Sequence, residues 1–315
     1  MLWGVTAYFN PAGYKSRLEN YRQFRKHLSV PLLAVEMSPD GRFELRRDDA
    51  DVVIQLAGGA VLWQKERLLN VALNHLPDDC DIVAWLDCDV IFGDDEWPAR
   101  TRAALRSYRI VQLFSEKYDL CPVNGSSDRP APFNKMYARG YKIARNEYAT
   151  EVAVKQTGVL VPDYSTPGLG WAARRTLIER HRLYDARIVG SGDTAIICAA
   201  LGEFAPVLDY QCMDHRQAEH YLNWARPFFA EVSGSIGYVE GRIFHLFHGN
   251  LTDRQYRLRH QRLRKFGFDP FTDIAIDSNG CWRWSSDKAE MHRYVSSYFA
   301  ARNEDAPFRP ADLAP

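Results

Sequence analysis

The chain has no apolar run of about 18 residues, the length a membrane-spanning helix needs, so nothing in it is expected to cross a bilayer. It has no excess of charge. Its 40 basic residues meet 40 acidic ones, so no overall field draws it to nucleic acid or to an anionic membrane. Cysteine is sparse, at positions 80, 88, 121, 198, 212 and 281, with no close pair and no zinc-ligand spacing. Free thiols in a reducing, cytoplasmic setting are the expectation. Met1–Phe9 is short and runs straight into Asn10, Pro11 and Gly13, so no targeting segment is read there. There is no internal repeat and no linker that clearly divides the chain. What remains is an ordinary globular composition, 46% hydrophobic and 25% charged, in 315 residues, enough for a large core.

The most informative stretch is Asp81–Asp95, DIVAWLDCDVIFGDD. Ile82 to Leu86 is a continuous apolar run, the pattern of a strand buried on both faces. Asp87 and Asp89 follow at once. Unpaired buried carboxylates are costly, so a strand that ends in two of them is read as opening into a cleft. Both could supply oxygen to one hard cation, shared with a bound diphosphate. Solvated acids at a strand end are the plainer reading.

Around this stretch the pattern alternates. Residues 2–9 read as a strand closed by a turn at 10–13, and Tyr14 to Leu28 as an amphipathic helix. Strands are predicted at 31–37 and 52–56. A helix follows over 64–76, with Leu68, Leu69, Ala72, Leu73 and Leu76 on its apolar face and Pro77 as its stop. This β, α, β, β, α, β order predicts an α/β fold with a mostly parallel sheet and helices on its faces. Ligands of such sheets bind beyond the carboxyl ends of the strands, where Asp87 and Asp89 fall. A helix is predicted over 97–108 and a strand over 110–114. Residues 121–150, rich in Pro, Gly and Ser, read as a mobile lid or a surface excursion.

Residues 166–203 carry two glycine turns. Gly168 and Gly170 predict a tight turn with a helix from about Trp171. Gly190-Ser191-Gly192 precedes Asp193 and another helix. Asp193 fits either the N-cap of that helix or a general base. In RIFHLFHGN, residues 242–250, His245 and His248 are three apart. In one strand that places them on opposite faces, so only one is expected in a given site. His248, at the strand end, is the better metal ligand and His245 the better core residue. Thr252-x-x-Gln255 reads as a capping box opening a basic helix. Of its arginines, one or two could reach a diphosphate. A last helix near 287–301 packs Tyr294, Tyr298 and Phe299 on the body, and the Pro- and Ala-rich end is expected to be loose.

Taken in order, GGAVLWQKERLLNVAL, DIVAWLDCDVIF, PGLGWAARR, GSGD and HLFHG resemble glycosyltransferases of the GT-A fold, in particular the inverting galactosyltransferase-like branch. The resemblance implies one GT-A domain over residues 1–265, with a nucleotide-sugar half (1–120) and an acceptor half (121–250), followed by a packed extension over 266–315. It implies Asp193 as the catalytic base. It implies Asp87 and Asp89, with His248 or His245, as ligands of Mn²⁺ or Mg²⁺, and Arg67, Gly170 and Trp171 as donor contacts. In two respects the chain departs from the family pattern. The Glu that precedes the base is Gly192 here, and a Trp in the adjoining turn is missing. The implied activity is inverting transfer from a nucleotide sugar, a UDP-sugar above all, to a hydroxyl on a glycan, a lipid-linked sugar, a protein or a modified nucleobase. A sugar-nucleotide nucleotidyltransferase and a non-catalytic carbohydrate- or nucleic-acid-binding protein are the rival readings.

Overall fold

The computed structural model describes residues 1–122, 132–148 and 165–309. The apolar runs of the first ninety residues become strands β1 (Leu2–Phe9), β2 (Leu32–Ser38), β3 (Val52–Ala57) and β4 (Ile82–Leu86). Helix α1 (Lys15–Lys26) joins the first two, and α2 (Lys65–Leu73) precedes the last. Next come β5 (Val90–Phe92), α3 (Trp97–Ala104), β6 (Ile110–Gln112), β7 (Glu116–Leu120), β8 (Pro132–Ala138), α4 (Arg139–Ala144), β9 (Ser165–Thr166) and β10 (Gly170–Arg174). Helices α5 (Arg175–His181), α6 (Gly192–Leu201), α7 (Phe204–Tyr210) and α8 (His215–Val232) lead to β11 (Ile236–Tyr238) and β12 (Arg242–His245). A 3₁₀ turn (Leu251–Arg254), α9 (Leu258–Arg264), a hairpin of β13 (Ile274–Ile276) and β14 (Trp282–Trp284), and α10 (Ala289–Ala301) complete the order. No helix among the described residues is long and apolar enough to cross a membrane.

The main sheet has seven strands in the order β11-β6-β10-β4-β1-β2-β3. All run parallel except β10, which is antiparallel to β4 and β6 on either side. The expected α/β class is therefore the one the chain adopts: a mostly parallel sheet flanked by helices, in a single domain. Strand β4 shows why its apolar run has no alternation. Val83 and Trp85 enter one core with Leu68, Leu69 and Ile196, while Ile82, Ala84 and Leu86 enter the core on the opposite face with Tyr21, Phe24 and Trp97. Burying each such aliphatic side chain is worth about 1.5–3 kcal/mol, so both faces select against polar residues. A smaller sheet, β5-β12-β7-β8-β9, lies beyond the end of β4. The chain crosses from one sheet to the other within Asp87-Cys88-Asp89.

Three expectations fail here. Trp171 does not open a helix: residues 170–174 form the inner strand β10, and helix α5 starts only at Arg175. The segment 121–150 is not one loop, because 132–138 and 139–144 are a strand and a helix; its parts at 123–131 and 149–150 lie outside the described residues. Thr252 and Gln255 make no capping box. The 3₁₀ turn ends with Gln255 in a left-handed conformation (φ 49°), and the helix begins at Leu258.

Trp171 is 1% exposed, with its indole nitrogen donating to the Pro167 carbonyl at 2.8 Å. Trp171→Ala is expected to lower unfolding free energy by roughly 3–5 kcal/mol, as for other buried large-to-Ala changes. Denaturant titration checks this, and a loss under about 1 kcal/mol would contradict a core role.

Candidate active site

A cavity of about 530 Å³ opens where β4 ends. Asp87 is the first residue past the strand, and its N–H donates to the Leu169 carbonyl at 2.8 Å. Lys65, the first residue of α2, sets Nζ 2.5 Å from Asp87 Oδ1 and 3.0 Å from Asp193 Oδ2. Asp193 stands in the first turn of α6, whose N-cap position is Ser191; the N-cap reading of Asp193 is therefore incorrect. Two glycines make room for carboxyl groups here, Gly168 for Asp193 and Gly192 for Glu66. A Cβ on Gly168 would lie 2.9 Å from Asp193 Oδ2, and one on Gly192 would lie 2.2 Å from Glu66 Oε1. A side chain at position 192 would therefore collide with the carboxyl of Glu66.

Burial alone would discharge Lys65, but Asp193 and Asp87 outweigh it and hold the ammonium well above the usual lysine range. Burial also opposes the charge of Asp87, yet Lys65 keeps that carboxyl below its usual range. Asp193 ends on the other side: burial raises it, and Lys65 offsets this only in part. One lysine thus leaves a firmly ionised partner and a more basic one.

Asp89 meets both histidines. Its Oδ2 is 3.4 Å from His248 Nε2 and its Oδ1 is 3.9 Å from His245 Nε2. Donor atoms of the three residues all lie within 4.8 Å of one another. The two-faces argument fails because strand β12 ends at His245, so its period of two does not run through Leu246 and Phe247, and His248 reaches the same carboxylate. Each ring is fixed through Nδ1. His245 Nδ1 is 2.7 Å from Asp119 Oδ1, and His248 Nδ1 is 3.0 Å from the Leu246 carbonyl. Asp119 is held by Lys117 at 2.7 Å. Burial, then Arg254, keeps His248 well below the usual histidine range, so its Nε2 offers a lone pair to a carboxylate. Asp89 Oδ1 has no hydrogen-bond partner among the described residues, and burial raises its pKa. Acceptors facing acceptors in a buried pocket are relieved by a proton or a cation. The donor set, two imidazoles and one carboxylate with outer carboxylate and carbonyl partners, fits a divalent transition ion.

The cavity wall is strongly cationic. Arg17 and Arg302 share the buried Glu304, at 2.6 and 2.5 Å. Arg254 and Arg259 line the cavity as well. Arg254 Nη2 donates to the His248 carbonyl at 3.3 Å. Phe299 and Arg302 belong to this wall, so the C-terminal segment helps to build the site.

Of the residues singled out in sequence, Asp87, Asp89, Asp193, His245 and His248 therefore meet in one cavity. Asp87 is not part of the three-residue metal cluster; its partner is Lys65. Arg67, Gly170 and Trp171 do not line the cavity. Arg67 pairs with Asp185 at 3.1 Å, and Gly170 packs against Leu86 and Leu113. Sequence reasoning missed Lys65, Arg17, Glu304 and Asp119. Only Asp119 left a signal, since Lys117 and Asp119 alternate on one face of β7.

No family model matches the sequence, and no curated protein matches it. Solved structures resemble it distantly. TarS of S. aureus in complex with UDP-GlcNAc is 12% identical, with 96% of this chain and 72% of that one covered at a TM-score of 0.33. Galactosyltransferase LgtC in complex with donor and acceptor sugar analogues is 10% identical, with 94% and 96% covered and a TM-score of 0.33. A 4-diphosphocytidyl-2C-methyl-D-erythritol synthase from Anaerococcus prevotii is 11% identical, with 76% and 87% covered and a TM-score of 0.32.

Glu66 gives a pH test of this electrostatic layout. It is 2% exposed, and burial pushes its carboxyl from 4.5 up to about 8, against the pull of Lys65. Between those values the folded protein holds a proton that the unfolded chain has lost. Raising the pH through that window therefore costs stability. The melting temperature of Glu66→Gln, relative to wild type, is expected to rise steadily from about pH 5 to about pH 8. A difference that stays flat across the window would contradict the raised pKa.

Proposed function

We propose that this chain is a metal-dependent glycosyltransferase of the GT-A type, moving a sugar from a nucleotide sugar, a UDP-sugar in this reading, to a hydroxyl acceptor with inversion. One observation carries the reading: a single cavity at the carboxyl end of β4 gathers the Asp89–His245–His248 cluster and the Lys65-bridged Asp193. Asp89, His245 and His248 would hold the cation, and two imidazoles favour Mn²⁺ over Mg²⁺. A cation bound there neutralises charge on a departing diphosphate. Arg254, against His248, adds a fixed positive charge on the same side.

The acceptor hydroxyl is assigned to Asp193. Its carboxylate takes the proton as the acceptor oxygen attacks the anomeric carbon opposite the leaving group, and one displacement inverts the configuration. Lys65 keeps Asp193 charged and fixes its direction, and Asp87 holds Lys65 from the other side. Gly168 lets the substrate approach that carboxylate without a side chain in the way.

The test is Asp193→Asn, which is nearly isosteric and cannot accept the proton. Sugar transfer, or donor hydrolysis where no acceptor is supplied, should fall by about 10²–10⁴-fold, with UDP affinity nearly unchanged. A folded Asp193→Asn protein with near wild-type turnover would remove Asp193 from the mechanism. A thermal-shift screen of nucleotide sugars with Mn²⁺ identifies the donor, since a ligand at about 100 times its Kd adds about 2.7 kcal/mol.

A further inference from the structure

Arg259 is a buried cation that the described protein answers only with aromatic faces, the rings of Tyr256 and Tyr298 lying 5.3 and 5.6 Å from its guanidinium. It is 3% exposed and lines the cavity. Nη1 donates to the Tyr298 hydroxyl at 2.5 Å and Nη2 to Ser191 Oγ at 2.6 Å, while Nε has no partner. Among the described residues no carboxylate pairs with it. Its neighbours differ. Arg17 and Arg302 have Glu304, and Lys65 has Asp87 and Asp193. Arg254 lies against His248, on the side of the metal cluster, where a diphosphate would answer its charge. Arg259 shares the Tyr298 hydroxyl with Arg302 and, through it, the Arg254 carbonyl, but its other hydrogen bond goes to Ser191, at the turn that carries Asp193. A buried charge without a counter-ion is costly, so the fold retains it where a ligand supplies the opposite charge.

Ser191 sharpens this. The fully buried Arg187 can only donate, so its Nη2, 3.1 Å away, makes His260 Nδ1 an acceptor. Burial keeps His260 neutral, so its remaining proton is on Nε2, which donates to Ser191 Oγ at 3.0 Å. Arg259 donates to the same oxygen. Both lone pairs of Oγ are then filled, and the Ser191 O–H proton is left to donate. Ser191 lines the cavity, is only partly buried and is held at φ 72°, a strained angle for a residue with a side chain. It stands at the N-cap of α6 yet makes no capping hydrogen bond. Its hydroxyl is turned from the usual capping task and polarised by two donors.

We propose that Arg259 and the Ser191 hydroxyl form a second anion subsite, on the Asp193 side of the cavity, that receives a phosphate or carboxylate group of the acceptor. The acceptor class is then an anionic one, bearing a phosphate or carboxylate near the attacked hydroxyl. This rests on the glycosyltransferase reading, in which Asp193 receives the acceptor hydroxyl.

The full-length protein is first saturated with UDP and Mn²⁺, and inorganic phosphate or acetate is then titrated in by calorimetry. The wild type should bind one further anion. Tighter phosphate marks a phosphorylated acceptor and tighter acetate a carboxylated one, and either supports the subsite. Arg259→Gln should weaken that anion by roughly tenfold or more and Ser191→Ala by several-fold, while UDP affinity stays within about twofold. Arg259→Lys should restore part of the anion binding, which a folding defect would not allow, and melting temperatures report the fold of each variant. No further anion, or anion binding that survives Arg259→Gln, would overturn the subsite alone. Equal weakening of UDP and phosphate would assign Arg259 to the diphosphate and overturn it too. Failure of wild-type protein to bind UDP would instead overturn the donor reading beneath it.

Discussion

A half-buried ammonium between two carboxylates sets the geometry of this cavity. Lys65 begins α2, Asp87 directly follows β4 and Asp193 lies in the first turn of α6, so three elements far apart in sequence are tied at one nitrogen. The lysine offsets the cost of withdrawing both carboxylates from water, and removing it would leave two half-buried like charges facing each other. Gly168, beside Asp193, follows from the same constraint, and Gly192 does the same for the neighbouring Glu66. Each gives up a side chain so that a carboxyl can approach the backbone. The arrangement is asymmetric in its effect, since Asp87 is pulled down and Asp193 is left raised. One acid is a structural counter-ion, and the other stays basic enough to take a proton.

The second constraint is the crossing between sheets. The main sheet ends at Leu86, and β5 begins at Val90 in the smaller sheet, paired with β12 so that Val90 faces His245. The Leu246 N–H donates to the Asp89 carbonyl at 2.8 Å, which fixes the histidine loop to the crossing residues. The C-terminal segment then closes the loop from behind. Gly249 packs within 3.1 Å of the backbone of residues 302–304, as judged from the Cβ it lacks, and Asn250 exchanges hydrogen bonds with Pro307 and Arg309. The order of strands thus delivers the acids to the carboxyl edge of the sheet, where ligands of parallel α/β folds bind. The C-terminal segment delivers Arg302 and Glu304 to the same edge.

The legible parts of this molecule were those written in continuous patterns. Strands β1 to β4 and helices α1, α2 and α10 follow from apolar runs and helical spacing, and the Asp87–Asp89 pair was visible because it interrupts such a run. Strand β10 was misread because Trp-Ala-Ala-Arg-Arg favours a helix locally; its place between β4 and β6 overrides that preference, and Ala172 and Ala173 are small enough to be buried on opposite faces. The histidine pair was misjudged because a period of two was carried past the end of the strand. Lys65 was not legible, since its partners are 22 and 128 residues away and no local pattern marks it. The same holds for Glu304, which lies in a stretch expected to be loose and is 1% exposed.

The central claim is that Asp89, His245 and His248 act together as one cation site that a nucleoside diphosphate completes. Calorimetry of UDP binding with Mn²⁺, and again with excess EDTA, addresses it directly, in wild type and in Asp89→Asn and His245→Ala. The account predicts tight binding that depends on Mn²⁺ in the wild type, and a loss of that dependence in both variants while they remain folded. Equal UDP affinity with and without Mn²⁺ in the wild type would contradict it.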